Sequence, residues 1–457
     1  MSVDTRHPLY VRYLPLWNRN TDAAEGEQAV KRRTTDYLPI PDPDTVADTS
    51  DPRYESYLTR AVYTNFTGRT VRALTGAVFR LAPTVELPAQ IEYMREDADN
   101  NRLTLAAIAQ RAVSEVMTTG RYFVMADYPE APTNATAEET AGLRAYIAVY
   151  DAKQIINWHE TNGQLDLVVL REVREEQYAD GFDFDAVVYY REMRLIDGRA
   201  YIRLWRETMP ESDYVELRAG GQPLGEIPGI IIGAEDNDPT PDTPPISDIA
   251  ALNIAHYQSR ADRRESSHLV GQPMLHIDVG QGNAQQFVEV NGQIMVGSRT
   301  AIVTDGGGKV SIVQPEESSG SRLDAEDCVN EVILIGAQII QDAKGNETAE
   351  GARLRSGAET SVMHTVTGNV SQAFQQVLKW CAMYKGGNPD EVVFELNRRF
   401  FSEEADPQVL AQMMLGVDRG AWTVDEVRNY GRKAGLIEAD KTNEDLDEEV
   451  SNSSPLL

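Results

Sequence analysis

The sequence is poor in the residues that carry catalysis and metal binding. It has six histidines and two cysteines among 457 residues, and no two histidines have metal-ligand spacing near a cysteine or a carboxylate cluster. A phosphate-binding P-loop is excluded, because Val303 stands where that motif needs its first glycine before Gly308-Lys309. The patterns HExxH, GxSxG and the EF-hand loop are missing too. The sequence therefore predicts no enzyme, no metal and no cofactor.

Cys328 and Cys381 lack the CxxC spacing of metal and redox sites. Both fall in apolar helical patterns, so we interpret them as small buried side chains, with a disulfide or a metal site as the alternative. No run of about 18 apolar residues is present, which predicts no membrane span. The first residues lack an apolar stretch behind a basic one, so we expect no secretory signal.

Positive charge is also scarce. Asp and Glu number 72 against 43 Lys and Arg, which gives a net charge of −29. A protein that grips DNA needs cationic groups to displace counterions from phosphates, so this chain should repel DNA except where a local patch is basic. Two interpretations stay open: the acidity serves solubility, or it forms a surface that DNA passes without adhering.

The first part of the chain changes pattern twice. Residues 1–52 carry a cluster of prolines and predict an irregular arm. Apolar spacing predicts helices over about 53–80 and 103–119, the second capped by Thr104 and ended by Gly120.

Strand patterns follow from Arg121 to about residue 235. β-branched and aromatic residues predict strands over 121–127, 144–150, 164–173, 186–195 and 201–207. Asn162-Gly163 and Asp197-Gly198 are hairpin signals, so an antiparallel meander is the simplest interpretation. The Pro/Asp-rich stretch 235–245 predicts a domain boundary.

The second half alternates helices with a small β segment. A helix is predicted from Ser247 to about Leu269, and a compact β segment over 270–314 includes QFVEVNG (286–292) as a strand. A helix at 321–341, a flexible loop at 342–351 and a long helix at 352–384 follow, and the first half of the long helix is small and polar on all sides.

The C-terminal part begins with a predicted strand at 391–396. One helix should start at Asp406-Pro407 and another at Thr423, which has capping-box spacing to Glu426. The acidic stretch 438–457 predicts disorder.

This order of elements resembles the portal proteins of tailed bacteriophages. Residues 244–275 resemble the stem helix that enters the clip, and 323–356 resemble the return stem helix and tunnel loop. Residues 7–20 with 24–39 resemble the N-terminal arm of a portal-like family of phage and prophage genomes, and residues 67–88 resemble the helix that follows this arm. Residues 150–159 resemble a wing strand. Residues 392–437 resemble the passage from wing to crown. The resemblance covers nearly the whole chain, through several weak matches in order.

The resemblance implies an α+β portal fold with wing, stem, clip and a reduced crown, assembling as a ring. The implied domains are an N-terminal arm (1–52), a wing (53–243), a stem helix (244–269), a clip (270–320), a second stem helix (321–341), a tunnel loop (342–351), a tunnel helix that returns to the wing (352–405) and a short helical crown with an acidic tail (406–457).

The resemblance also implies a function. Portal proteins form rings of about twelve subunits at one capsid vertex, through which the genome is packaged and ejected, and they have no enzymatic activity of their own. The implied partners are other copies of the chain, the terminase large subunit, the head–tail adaptor, the major capsid protein and non-specific double-stranded DNA, with no membrane. The implied location is the virion, with assembly in the host cytoplasm.

Two groups of site residues follow from the resemblance. The channel candidates, in and after the tunnel loop, are Lys344, Gly345, Asn346, Arg353 and Arg355. For the basic ones, ordinary solvated charges or ion pairs between subunits are the alternative. We expect the clip surface that docks the terminase and then the adaptor at two turns, formed by Asn291, Gly292, Asp305 and Gly306.

Two other functions compete with the portal hypothesis. One is another virion structural protein, such as a head–tail adaptor or a minor capsid protein, although adaptors are usually smaller and lack two stem-like helices around a β insertion. The other is a cytoplasmic enzyme with an unrecognised site, which the motif-free, histidine-poor sequence disfavours.

Overall fold

A computed structural model of the chain gives the architecture. The structure describes residues 2–41, 48–129, 143–177, 181–270, 274–279, 284–292, 295–296, 299–300, 302–304, 309–313, 320–336, 349–398, 400, 407–433, 437 and 441–452. The chain divides into two compact units, Met1–Leu396 and Asn397–Leu457. Helices and sheets occur together, so the fold class is α+β, as the sequence predicts.

Helices frame both ends of the first unit and make up the described part of the second. In chain order they are α1 Pro8–Glu25, α2 Glu27–Arg32, α3 Pro52–Arg60, α4 Phe66–Val78, α5 Leu105–Thr119, α6 Ser247–Val270, α7 Ala284–Asn291, α8 Gly320–Gly336, α9 Ala349–Tyr384, α10 Pro407–Asp418, α11 Val424–Lys433 and α12 Asn443–Asn452. Short 3-10 turns cover Thr34–Asp36, Ala89–Arg95, Ala152–Gln154 and Pro389–Glu391.

Strands occupy the centre of the first unit and the segment between α6 and α8. They are β1 Thr84–Glu86, β2 Arg121–Asp127, β3 Tyr146–Asp151, β4 Ile155–Thr161, β5 Gln164–Gln177, β6 Phe184–Ile196, β7 Arg199–Arg206, β8 Met209–Pro210, β9 Val215–Glu216, β10 Arg218–Ala219, β11 Gln222–Pro223, β12 Gly229–Gly233, β13 Met274–Asp278, β14 Met295–Val296, β15 Arg299–Thr300, β16 Ile302–Thr304, β17 Val310–Val313 and β18 Val393–Glu395.

The predicted antiparallel meander is confirmed for the strands at 164–173, 186–195 and 201–207, whereas the strands predicted at 121–127 and 144–150 belong to a second sheet and β4 opens the meander. Strands β4 to β8 are hydrogen-bonded in sequence order, and β9 also pairs with β7. Asn162-Gly163 and Asp197-Gly198 have positive φ at both positions, which is the backbone that a two-residue type I′ hairpin requires. The first turn fixes the register of β4 against β5 and the second fixes that of β6 against β7, and so they decide which side chains of these strands face the core.

A second sheet, in the order β12-β2-β3, supports the meander. Helix α5 leads into β2 through Gly120, which has φ +68, as the sequence predicts. A Cβ at Gly120 would lie 2.8 Å from the carbonyl oxygen of Asp242. This position therefore needs glycine both for its left-handed backbone and for the close approach of the loop that precedes α6.

The expectation of an irregular arm over residues 1–52 is wrong for its first part. Helix α1 begins at Pro8, the first-turn position where the missing N–H of proline costs nothing. His7 caps it, since its Nδ1 accepts from the N–H of Leu9 at 3.1 Å. Tyr10 and Trp17, seven residues apart, are buried against the meander. The prolines that favoured an irregular arm lie after both N-terminal helices.

The single helix predicted over about 53–80 is instead two helices, α3 and α4. The chain is extended between them, and Asn65 restarts the helix by accepting from the N–H of Gly68 at 2.6 Å. A side chain of α6 holds this break, as described below, so the interruption depends on a contact that is distant in sequence.

Two further local expectations are wrong. The stretch QFVEVNG, predicted as a strand with an Asn-Gly hairpin turn, lies largely in helix α7, because a short apolar alternation fits either structure. The acidic tail, predicted to be disordered, contains helix α12. A capping pair starts this helix, in which Thr442 Oγ1 accepts from the N–H of Asp445 while the Asp445 carboxylate accepts from that of Thr442.

Candidate functional site: the paired helices and their sheet insertion

The base of α6 is held by a fully buried asparagine. The Asn253 Oδ1 accepts from the hydroxyl of Tyr63 at 2.7 Å, and from the N–H of Phe66 at 3.0 Å and of Thr67 at 3.1 Å. Its Nδ2 donates to the carbonyl of Thr64 at 2.8 Å. One amide therefore satisfies the backbone groups that the helix break exposes, which fixes α6 to α4.

A second buried asparagine holds the first turn of α6. The Asn20 Nδ2 donates to Ser247 Oγ at 2.9 Å and to the Thr118 carbonyl at 3.1 Å, and Arg19 donates to the Ser247 carbonyl. Helices α1, α5 and α6 thus meet at one point. Sequence reasoning missed both asparagines, although a polar residue inside an apolar helical pattern is the signal that could have found them.

Helix α6 continues outward along α3. Tyr57 donates to the Asp262 carboxylate, and Arg60 forms an ion pair with Glu265. His256 lies buried on α6 with its ring edge-on to Phe66 at 5.1 Å. Burial, and then the positive charge of Arg260, lower the pKa of His256 to about 4, so this histidine is neutral at pH 7 and acts as a packing residue.

Helices α6 and α8 run antiparallel. Val332, late in α8, shares a buried cluster with Ile246 and Ile249 at the start of α6. At the other end, Met274 of β13 pairs with Val313 of β17, which brings the end of α6 close to the start of α8. The predicted helix at 321–341 is confirmed as far as Gly336, and residues 337–341 lie outside the described residues.

The sheet between α6 and α8, hereafter the insertion, has exposed apolar edges. Strand β13 is central and pairs antiparallel with β17 and parallel with β16, and no further strand pairs with either outer strand among the described residues. Ile302 on β16 is 47% exposed and Val310 on β17 is 65% exposed. An uncovered apolar edge strand is a pairing surface for another chain.

Helix α9 is anchored through its C-terminal half. Val366, Val370, Phe374 and Cys381 are buried in a stripe, and Phe374 stacks on Phe394 of β18 with ring centres 5.4 Å apart. Burial raises the pKa of the Cys381 thiol strongly, which fits the interpretation of this cysteine as a packing residue. The predicted helix at 352–384 is confirmed, with its start moved to Ala349.

The structure describes only part of the predicted channel segment. Lys344, Gly345 and Asn346 lie outside the described residues. Arg353 and Arg355 lie in the first turns of α9. The predicted loop does not extend to residue 351, because Ala349–Gly351 already belong to that helix.

Of the two predicted docking turns, the structure describes only one. Asp305 and Gly306 lie outside the described residues. Asn291 and Gly292 are exposed, but they end α7 instead of joining two strands. Gly292 has φ +71 and its N–H donates to the Val288 carbonyl at 2.8 Å, which is a helix C-cap.

Metal sites and membrane-spanning helices are two other features that the described residues bear on. Within the described ranges, no group of three or more His, Cys, Asp or Glu side chains is placed to hold a metal ion. None of the described helices is long and apolar enough to cross a membrane.

Comparison with known families and structures adds five findings. Residues 245–385, which run from the start of α6 to the end of α9, match the family model described as a domain of unknown function, DUF4055. No curated protein matches the chain. The chain is similar to one from the virion of a native gene transfer agent particle, at 13% identity and a TM-score of 0.38, covering 83% of this chain and 92% of that one.

Two neck structures are also similar. One is the neck of an empty gene transfer agent particle computed with C6 symmetry, at 15% identity and a TM-score of 0.39, covering 83% of this chain and 94% of that one. The other is the neck of the native particle computed with C12 symmetry, at 14% identity and a TM-score of 0.36, covering 82% and 92%.

Proposed function

We propose that this chain is a structural subunit of a phage-like virion, and specifically a portal protein that forms a ring around a DNA channel. The observation that carries the proposal is the antiparallel pair α6 and α8, held at its base by Asn253 and Asn20 and joined through the insertion. This arrangement fits a stem that ends in a clip, in the order that the sequence resemblance implies.

The exposed edges of the insertion support assembly. A ring is built from heterologous contacts, in which one surface of each subunit meets a different surface of the next. Strands β16 and β17 offer two different edges on opposite sides of β13. Pairing between subunits would cover Ile302 and Val310, which the monomer leaves exposed.

The charge of the second stem-like helix suits a passage for DNA. Asp324, Asp327 and Glu331 are exposed on α8, and their spacing of three and seven residues puts them on one face. A carboxylate face repels phosphate, so DNA would pass such a wall without adhering. Channel contacts by Lys344, Arg353 and Arg355 belong to the proposal.

The proposal assigns a structural role without catalysis. Its partners would be neighbouring copies, the capsid shell, the terminase large subunit during packaging and the head–tail adaptor afterwards. Its location would be the capsid vertex of the virion.

Negative-stain electron microscopy of the purified full-length chain, with mass photometry on the same sample, tests this function. We expect rings with a central hole and a mass of about twelve subunits. A small closed dimer without a hole would contradict the portal function and favour the enzyme hypothesis. A ring whose insertion does not project at one end would favour an adaptor instead.

A further inference from the structure

A groove of about 750 Å³ lies on the first unit, away from the paired helices. The meander hairpin at Asn162-Gly163 forms one wall, the loop after β12 forms another, and the C-terminal part of α9 forms the third side. Leu165, Ile230 and Trp380 line it with apolar surface. The groove therefore offers an apolar floor that is open to solvent.

Carboxylates surround this floor. Glu160, Glu226, Asp236 and Asp238 all line the groove and are all exposed. They come from three separate segments of the chain, so the fold concentrates negative charge there. Clefts lined by one sign of charge focus the field and attract a ligand of the opposite sign.

The hydrogen-bonding groups of the groove also favour a ligand that donates hydrogen bonds. Three donors that line it are already engaged: Gln164 Nε2 with the Gly225 carbonyl, Asn237 Nδ2 with the Asn369 carbonyl, and Trp380 Nε1 with Glu226. With these donors engaged, the exposed carboxylates remain as acceptors, so the groove favours a ligand that brings N–H groups.

The loop after β12, which forms one wall of the groove, is fixed by side-chain hydrogen bonds. The groove is therefore preformed. The buried guanidinium of Arg121 donates to the Pro239 carbonyl at 2.6 Å and lies over the Trp158 ring at 3.8 Å. Asp236 and Asp238 also tie the loop, since each accepts from a backbone N–H two residues later. A fixed wall lowers the ordering cost of binding.

We propose that this groove docks an extended peptide segment of a partner protein, in which an arginine or lysine side chain adjoins an apolar one. The cation would lie among the carboxylates and the apolar neighbour on Leu165 and Trp380. This inference uses no residue of the paired helices and stands independently of the portal function.

Fluorescence anisotropy with labelled peptides tests the proposal on the full-length chain. The probe is a nine-residue peptide that alternates arginine and leucine, compared with one whose arginines are replaced by citrulline and one whose leucines are replaced by serine. We expect the first peptide to bind, and each replacement to weaken binding about tenfold.

The variant is Glu160→Gln with Glu226→Gln, which removes two charges but keeps an acceptor for Trp380. The matched control is Glu55→Gln with Glu175→Gln, two exposed carboxylates outside the groove. We expect the groove variant to lose about tenfold in affinity and the control to bind like the wild type. Equal losses in both variants would overturn the proposal by showing that only net charge matters. Equal binding of the citrulline peptide would overturn it by showing that no cation is recognised.

Discussion

The meander and the insertion are both β structures, yet they differ in how much of their stability comes from their own chain. Strand β5 pairs with β6 from Leu167↔Arg194 to Gln177↔Phe184, and one face is buried under α1. In the insertion, β13 pairs with β16 only over His276 to Asp278, and no described residue of it is buried. A sheet with so little core needs a partner surface to become stable.

The meander also has a buried ionic network that the described insertion lacks. Arg191 of β6 contacts Asp127 at 2.7 Å and Glu172 at 2.9 Å. Tyr146 and Tyr150 donate to the same two carboxylates. Every member has a partner, which is the condition under which buried charge is tolerated. The comparison therefore predicts that substitutions in the meander impair folding, while substitutions in the insertion impair assembly.

The largest expected effect is that of Arg191→Met. It leaves Asp127 buried without its cation and Glu172 paired with Arg174 alone, and we expect the free energy of unfolding to fall by about 3 kcal/mol. Denaturant unfolding followed by circular dichroism measures this loss. Arg199→Met, at an exposed ion pair with Glu216 in the same sheet, should cost less than about 1 kcal/mol. Equal losses would show that the network adds nothing specific.

The loss from Arg191→Met should also depend on pH. Burial alone would raise the pKa of Glu172, but the Arg191 charge and several hydrogen bonds outweigh it and hold that pKa below its usual value of 4.5. A carboxylate whose pKa is lower in the folded chain than in the unfolded chain stabilises the fold at pH values above the unfolded pKa. This stabilisation is lost as the pH falls through the folded pKa. The gap between wild type and variant should therefore narrow below pH 4.5.

A smaller effect is expected from Asn253→Ala. It leaves the buried N–H of Thr67 without an acceptor and takes one of two hydrogen-bond partners from the Tyr63 hydroxyl and from the Phe66 N–H, which should cost about 2 kcal/mol. Asn330→Ala, at an exposed position of α8, is the control and should stay within about 0.5 kcal/mol. A wild-type unfolding curve for Asn253→Ala would contradict its role as the anchor of α6.

His256→Phe should change the pH dependence of stability more than the stability at pH 7. The pKa of His256 in the folded chain, about 4, lies below the usual histidine pKa of 6.5, so the unfolded chain binds the proton first as the pH falls. The contribution of neutral His256 to wild-type stability is therefore fully present above pH 6.5 and decreases as the pH falls towards 4. We expect a flatter profile in the variant over this window, measured by thermal unfolding. The same substitution at His268, elsewhere on α6, is the control.

The smallest effect on folding is expected in the insertion. Ile302→Lys with Val310→Lys should change the unfolding free energy by no more than about 0.5 kcal/mol, because both side chains are exposed. We expect the ring population in mass photometry to disappear, since the edges would carry charges against pairing. Val173→Lys, exposed to a similar degree in the meander, should leave rings intact. Rings that survive the double substitution would contradict assembly through these edges.

Local signals predicted much of the fold. Helix α5 is confirmed with its Thr104 cap, which accepts from the N–H of Ala107, and with Gly120 in the left-handed conformation. Thr423 and Glu426 form the capping box that their spacing predicts. These features succeed because each depends on residues within a few positions along the chain.

The wrong predictions concern features that depend on residues far apart in the sequence. Helix α1 forms although Pro15 lies inside it, because Tyr10 and Trp17 bury themselves against strands that come later in the sequence. The extended break before α4 requires the amide of Asn253, which follows about 190 residues later in the chain. Neither partner is visible in a local pattern, so tertiary packing overrides the local preference.

By itself, the sequence determined the order of elements, the two meander hairpins, the helix caps and an acidic chain without catalytic motifs. Each follows from backbone conformations or charges that a few neighbouring residues fix. Only the tertiary structure decided that Asn253 and Asn20 anchor α6, that Asn291-Gly292 ends a helix, and that four carboxylates from three segments surround one groove. Those features depend on side chains that are far apart in sequence and meet only when the core forms.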